Sequence, residues 1–302
     1  MKVAVIDLGT NTFHLIIAEI TASAVDIIYK TNLPVKLGEG RINDNVIIQP
    51  AFERGLLALE EFANQIKAHD VTVVKATATS AVRSAENGSN FVKAAKSYAG
   101  IEIDVITGDQ EADYIYQGVK ATAAIKATSL IMDIGGGSTE FIICNQERLL
   151  WKKSYNIGAA RLTQAYFKSD PISATEQLAI QTHVEAALAD LIQACQLHQP
   201  KQLIGSAGAF ETFAGMLDKD LDLKTVKAAP IDLPGYRQLA TQLIQATHAQ
   251  RAVMPNLIAL RVDMIVVAAL ITNYVIDHTK IETITLSTYD LKMGVLHELT
   301  AL

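Results

Sequence analysis

One stretch near the start of the chain returns 126 positions later. The first copy is Val5-Ile6-Asp7-Leu8-Gly9-Thr10-Asn11-Thr12-Phe13-His14-Leu15-Ile16-Ile17. The second is Ile131-Met132-Asp133-Ile134-Gly135-Gly136-Gly137-Ser138-Thr139-Glu140-Phe141-Ile142-Ile143. Each reads as a buried strand ending in Asp, a tight turn of glycine and small hydroxyl or amide residues, and a second apolar strand. A duplicated strand–turn–strand unit predicts that similar elements surround both copies.

The flanking patterns agree at coarse resolution. The first hairpin is followed by a strand near 27–35, a helix over about 51–68, a strand 71–76, a helix near 89–98 closed by Gly100, a strand 101–106 and a helix 109–119. Phe52, Leu56, Leu59, Ala63 and Ile66 supply the helical stripe of the first of those helices. The second hairpin leads to a strand near 148–155, a helix 159–167, a long helix over about 174–195 and a strand 202–205. Helices near 209–216, 236–246 and 257–276, a strand 283–286 and a terminal helix complete the pattern. The second half is the first with helices inserted. The expected architecture is α/β: two duplicated domains, each a mixed sheet flanked by helices, whose hairpins face a shared cleft. The Ala/Thr/Lys stretch 120–128 places the boundary between domains 1–124 and 125–302, and the terminal helix can pack back on the first domain.

Composition removes several function classes. The chain has 302 residues, half of them hydrophobic, with 17 Gly and 7 Pro spread along its length, so disordered and low-complexity classes are excluded. Its 26 Lys+Arg against 32 Asp+Glu leave a net charge of -6, so a polyanionic substrate needs a local basic patch. Cys144 and Cys195 are too few for a disulfide framework and lack zinc-site spacing, which makes them buried thiols. Asp7 follows only four apolar residues, and the longest apolar run, 264–271, is far below the ~20 residues of a membrane span. The expectation is a soluble cytoplasmic protein with no membrane and no nucleic acid polymer as partner.

A strand that ends in Asp and runs into a glycine and hydroxyl turn offers a carboxylate for a hydrated divalent cation and convergent N–H groups for phosphate oxygens. An isolated Asp/Gly hairpin is usually only a turn; two in equivalent places argue against a turn that holds no ligand. Asp133 and Glu140 flank the second turn on opposite arms, which suits one Mg²⁺ that keeps its waters, with Asp7 as the symmetry partner of Asp133. Glu111 is placed either as first-turn charge behind a Thr107-x-x-Gln110 capping box or as a base that deprotonates water. Arg83 is a solvated charge or a bidentate phosphate ligand, and His14 is a packing residue or a substrate contact.

This signature resembles the actin, sugar kinase and Hsp70 superfamily. Within it the wording is closer to the exopolyphosphatase and guanosine pentaphosphate phosphohydrolase family (Ppx/GppA). Residues 7–14 look like the first phosphate motif of that family and 133–140 like the second; 77–87 match its arginine segment, and 106–112 the segment with its catalytic glutamate. Asn156-Ile157-Gly158-Ala159-Ala160-Arg161-Leu162 and the segment 287–294 also fit. The resemblance implies actin-like (ribonuclease H-like) domains with the active site between them. It implies Glu111 as general base, and phosphates held by Thr10, Asn11, Thr12, Arg83, Gly135, Gly136, Gly137, Ser138, Thr139 and Gly208. Metal, Mg²⁺ or alternatively Mn²⁺, falls to Asp133, Glu140 and Asp7. The departures are Thr10 and Thr12 where Ser is common, Asp113 where Arg is common, Ala209 where Thr is frequent, and Lys292-Met293 in place of Arg-Glu.

The implied activity is metal-dependent hydrolysis of a phosphoanhydride: terminal phosphate from inorganic polyphosphate, or the 5′ γ-phosphate of guanosine pentaphosphate. A superfamily kinase using ATP and a non-catalytic nucleotide-sensing protein stand as alternatives, and a homodimer stays open. Long members add helical domains, whereas this sequence stops at Leu302, and its Lys and Arg form no run longer than Lys152-Lys153. Contact with few terminal phosphates and distributive release are therefore expected.

Overall fold

The computed structural model describes residues 1–21, 24–206 and 208–300. Strands β1 (Lys2–Leu8), β2 (Thr12–Ile20), β3 (Val25–Pro34), β4 (Val73–Ala78) and β5 (Ile103–Val105) form one sheet in the order β3-β2-β1-β4-β5. Strands β6 (Ser129–Ile134), β7 (Thr139–Cys144), β8 (Leu149–Tyr155), β9 (Gln202–Ser206), β10 (Ala228–Ile231) and β11 (Thr283–Ser287) form a second, in the order β10-β11-β9-β6-β7-β8. In each sheet the first strand runs antiparallel to the second and parallel to the fourth, β1 with β2 and β4, β6 with β7 and β9. The duplication read from the sequence is thus a duplication of wiring.

Each sheet buries its outer face under its own helices. Phe13, Leu15 and Ile17 of β2 pack with Leu59 and Phe62 of the helix Gln49–Ala68 and Phe91 of the helix Gly88–Ala99. In the second sheet Phe141 and Ile143 pack in a larger core with Phe210, Tyr236 and the helix Ile265–His278, which is buried on most of its surface. A third core joins the sheets: Val3, Val5 and Ala18 of the first and Ile131, Ile142 and Ile204 of the second meet the helices Gly108–Lys120 and Leu291–Thr300.

Those two helices are the last of each half and cross in backbone contact. A Cβ on Gly118 would stand 2.2 Å from the Asp290 carbonyl oxygen, and one on Gly294 would stand 1.8 Å from that of Tyr114. Only glycine at both crossings admits this approach. The terminal helix therefore lies against elements of the first half.

Several elements differ from the sequence reading. The helix expected over 174–195 is two, Ala174–Ala187 and Ala189–His198, broken at Leu188 (φ -97°, ψ 12°). The helix expected from residue 257 begins at Ile265, because Pro255 and Asn256 at φ +63° turn the chain through a short 3-10 segment, Ala259–Arg261, first. Strand β10, which carries Pro230 at a sheet edge, and the five-residue helix Ser80–Ser84 were not anticipated. Residue 207, just before Gly208, lies outside the described residues. Cys144 and Cys195 are buried free thiols. Among the described residues no helix is long and apolar enough to cross a membrane.

Candidate active site

The two turns are equivalent at the level of single atoms. A Cβ on Gly9 would lie 2.9 Å from the Thr12 carbonyl oxygen, and one on Gly135 would lie 2.9 Å from that of Ser138. The carbonyls behind each turn are tied to later chain in the same way: Gly38 N–H donates to Thr10 and Lys36 N–H to Asn11, while Arg161 N–H donates to Gly136 and Gly158 N–H to Gly137. Because a trans peptide points its N–H opposite to its C=O, the N–H groups of Asn11, Thr12, Gly137 and Ser138 are directed away from those contacts. Backbone donors presented by a tight turn suit phosphate oxygens.

The turns also pack directly on each other. A Cβ on Gly136 would meet Asn11 Nδ2 at 2.3 Å, and one on Gly137 would meet Ser80 Oγ at 2.5 Å and Thr10 Oγ1 at 2.9 Å. Gly135 is required by its own turn, whereas at Gly136 and Gly137 the first half of the molecule occupies the room that side chains would take.

Together the turns line a cavity of about 510 Å³ that both sheets share. Thr10, Asn11, Thr12, Gly135, Gly136, Gly137, Ser138 and Gly208 are on its wall, as are Asp7, Asp133, Glu140 and Glu111. Thr139 and Arg83 are not. Thr139 is fully buried and its hydroxyl donates to the Ile157 carbonyl at 3.2 Å, a structural bond. Arg83 stands behind Glu111, donating from Nη1 to Glu111 Oε2 at 2.8 Å. Its observed partner is the carboxylate.

The capping reading of Glu111 holds, and it leaves the carboxylate exposed to the cavity. The Thr107 and Gln110 capping box is formed in both directions, and it starts the helix so that Glu111, in its first turn, faces the cavity. Burial, and then the nearby charge of Glu140, push its carboxyl well above the usual range; Arg83 opposes this. Asp133 is raised to about 8 by burial, with Asp290 adding to the shift and the Ser206 hydroxyl, at 2.9 Å from Oδ2, opposing it. Glu140 is raised to about 7 by burial, against the Ser154 hydroxyl that donates to it at 2.6 Å. Asp7 is raised to about 6, again chiefly by burial.

Such carboxylates fit a divalent cation, which would favour their ionised forms. Among the described residues no three His, Cys, Asp or Glu side chains form a ready metal cluster. Asp133 and Glu140 stand opposite each other across β6 and β7, a pair that would hold an ion that keeps most of its water, as Mg²⁺ does. Asp7 occupies the matching place against His14 across β1 and β2. His14 also lines the cavity, and burial pushes its imidazole well below the usual value.

The sequence reading missed part of the wall. Asp290 and Lys292 form an ion pair there, flanked by Glu211 and Arg261. The signal for Lys292 was its place in the late family-like segment; Glu211 and Arg261 fall within the helices expected near 209–216 and 257–276 and belong to none of the motifs.

A profile of the Ppx/GppA phosphatase family matches residues 16–301. The chain belongs to that family. It is 31% identical over 300 residues to a Haemophilus influenzae protein named as a candidate exopolyphosphatase, covering 99% of this chain and 91% of the relative. A crystal structure of an exopolyphosphatase from Cytophaga hutchinsonii superposes with a TM-score of 0.97 at 36% identity, over 100% of this chain and 98% of that one. A guanosine-5′-triphosphate,3′-diphosphate pyrophosphatase of Photobacterium profundum is 28% identical over 302 residues, and the match spans 98% of this chain and 59% of that protein. Two family-level departures now have local explanations. Asp113, where Ppx/GppA proteins commonly have Arg, takes an ion pair from Lys152 at 2.5 Å, and Ala209 is buried in the second-sheet core.

Proposed function

We propose that this Ppx/GppA member is a metal-dependent phosphoanhydride hydrolase that releases terminal phosphate from inorganic polyphosphate, or the 5′ γ-phosphate of guanosine pentaphosphate. The observation that carries the reading is Glu111, a buried carboxylate on the wall of the cavity that the two phosphate turns line.

The terminal phosphoryl group sits between the turns, where the N–H groups of Gly137 and Ser138 and those of Asn11 and Thr12 receive its oxygens. A water between that group and Glu111 gives its proton to the carboxylate as its oxygen attacks phosphorus. The bridging P–O bond on the far side breaks, and its electrons stay with the shortened chain. A carboxylate with a raised pKa is a stronger base, but it must be ionised to act, and the ion pair with Arg83 favours that form. Asp133 and Glu140, with Asp7, would hold Mg²⁺ through its water shell, which supplies positive charge against the phosphate oxygens.

The test is phosphate release from polyphosphates of graded length and from guanosine pentaphosphate, with Mg²⁺ and with chelator. Release that needs Mg²⁺ and no acceptor supports the reading. ADP formation that requires a sugar or other hydroxyl acceptor overturns it in favour of a kinase.

A further inference from the structure

The cavity has two chemically different ends. Its inner end holds the turns and the carboxylates. Its mouth is framed by one edge of each sheet: β3, at the end of the first, and the loop that precedes β10, at the end of the second.

The strand register shows how the inner end connects to the mouth. Asp7, His14 and Asn32 are successive partners across β1, β2 and β3, and Ile16 and Lys30 form the next row on the same face. All five line the cavity. Lys30 therefore lies two strands from β1, about 10 Å across the sheet at a spacing of ~4.8 Å per strand, and one row away from Asp7. From the opposite side the loop before β10 brings Lys224 and Lys227 to the same mouth, where Lys227 Nζ stands 5.8 Å from the ring centre of Tyr289.

These lysines differ from the deeper cations. Lys292 is bound to Asp290, whereas among the described residues Lys30, Lys224 and Lys227 have no carboxylate within ion-pair distance. Asp222 on the same loop caps its turn, accepting from Lys224 N–H at 3.0 Å and from the Thr225 hydroxyl at 3.0 Å. Three exposed lysines, one on edge strand β3 and two on the loop before β10, thus line one cavity in a protein whose net charge is -6.

We propose that Lys30, Lys224 and Lys227 form an outer phosphate subsite that takes the phosphates on the leaving side of the scissile anhydride. The assignment rests on the hydrolase reading, because that reading fixes the terminal phosphate beside Glu111 and requires the rest of the substrate to run toward the mouth. The recognised chemistry is a run of phosphates several positions from the reacting one. A polyphosphate chain supplies it, and so does the 3′-diphosphate of the nucleotide.

The test compares the parent protein with the Lys30→Gln/Lys224→Gln/Lys227→Gln variant on tripolyphosphate, long polyphosphate and guanosine pentaphosphate across a salt series, with thermal melts to verify folding. The expected result is a fall of about tenfold or more in kcat/KM for long polyphosphate relative to tripolyphosphate, with a shallower dependence of KM on salt. An effect confined to guanosine pentaphosphate assigns the subsite to the nucleotide's 3′-diphosphate. No change on either substrate overturns the subsite. Binding of long polyphosphate to Glu111→Gln protein, with and without the three lysines, gives an independent answer. If the parent protein hydrolyses neither substrate, the hydrolase reading fails while this binding difference still decides the lysines.

Discussion

Arg83 donates from one nitrogen, Nη1, both to Glu111 Oε2 at 2.8 Å and to the Ile106 carbonyl at 3.1 Å. The guanidinium is thereby fixed to the loop that precedes the helix of Glu111, so the base and its counter-charge move as one unit. Removing it by Arg83→Gln leaves a buried carboxylate with less opposing charge, and its pKa rises further. The acidic limb of the kcat/KM profile should move to higher pH by about one unit or more. A pH–rate profile that keeps its limb in place would show that Glu111 is not the titrating base.

Asp133 gives a prediction about stability. Its carboxyl lies near 8 in the fold against a usual 3.8, so the native state holds this proton more tightly than the unfolded chain does. The stability linked to that proton is full below about 4 and is lost as pH rises toward 8. In chelator, the melting temperature should therefore fall between pH 5 and 9, and Asp133→Asn should flatten that fall. The same substitution should raise the Mg²⁺ concentration needed for half-maximal activity. An unchanged Mg²⁺ midpoint in an active variant places the metal elsewhere.

The contact between the turns is testable with one methyl group. Gly137→Ala drives a Cβ to 2.5 Å from Ser80 Oγ and to 2.9 Å from both Ser80 Cβ and Thr10 Oγ1, so the second turn must draw back from the first half. KM should rise by about tenfold, equivalent to about 1.4 kcal/mol of lost binding. Gly215→Ala is the control. Its Cβ would meet nothing nearer than 3.5 Å, and it lies inside the helix Gly208–Leu217, so it should stabilise by about 0.4–1 kcal/mol. Equal effects of the two on KM would contradict the packed-turn geometry.

Arg161 braces the second turn against the first half of the molecule. Its Nε donates to the Gly137 carbonyl at 3.1 Å and its Nη1 to that of Ile42 at 3.0 Å, while Asn43 Nδ2 returns a bond to the Arg161 carbonyl. Arg161→Met keeps length but loses both bonds. The expected outcome is a KM increase of several-fold, about 1 kcal/mol for the lost hydrogen bonds, with kcat less affected. A change confined to kcat would mean that Arg161 acts on the chemical step.

The hairpins were legible because duplication shows itself twice in one chain, and because Asp, Gly and small hydroxyl residues are each demanded by local geometry. Glu111 was legible only as one of two readings, and the structure shows that capping and exposure to the cavity are compatible. Arg83 was recognised as a site residue, but its carboxylate partner lies 28 positions away and no local pattern encodes that pairing. The lysines at the mouth were invisible for a related reason: Lys30 and Lys227 are separated by most of the chain and line one cavity only because edge strand β3 and the loop before edge strand β10 both border it. A search for a basic run could not find a patch assembled from a sheet edge and a distant loop. Strand β10 escaped because four residues that include Pro230 carry too little alternation to identify an edge strand.

The most direct measurement is the time course of phosphate release from long polyphosphate and from guanosine pentaphosphate in Mg²⁺, parent protein beside Glu111→Gln. The account predicts release by the parent from at least one of them, abolished by chelator, and a fall of roughly 10²–10⁴ in turnover in the variant with substrate binding retained. Turnover by Glu111→Gln close to that of the parent would contradict it.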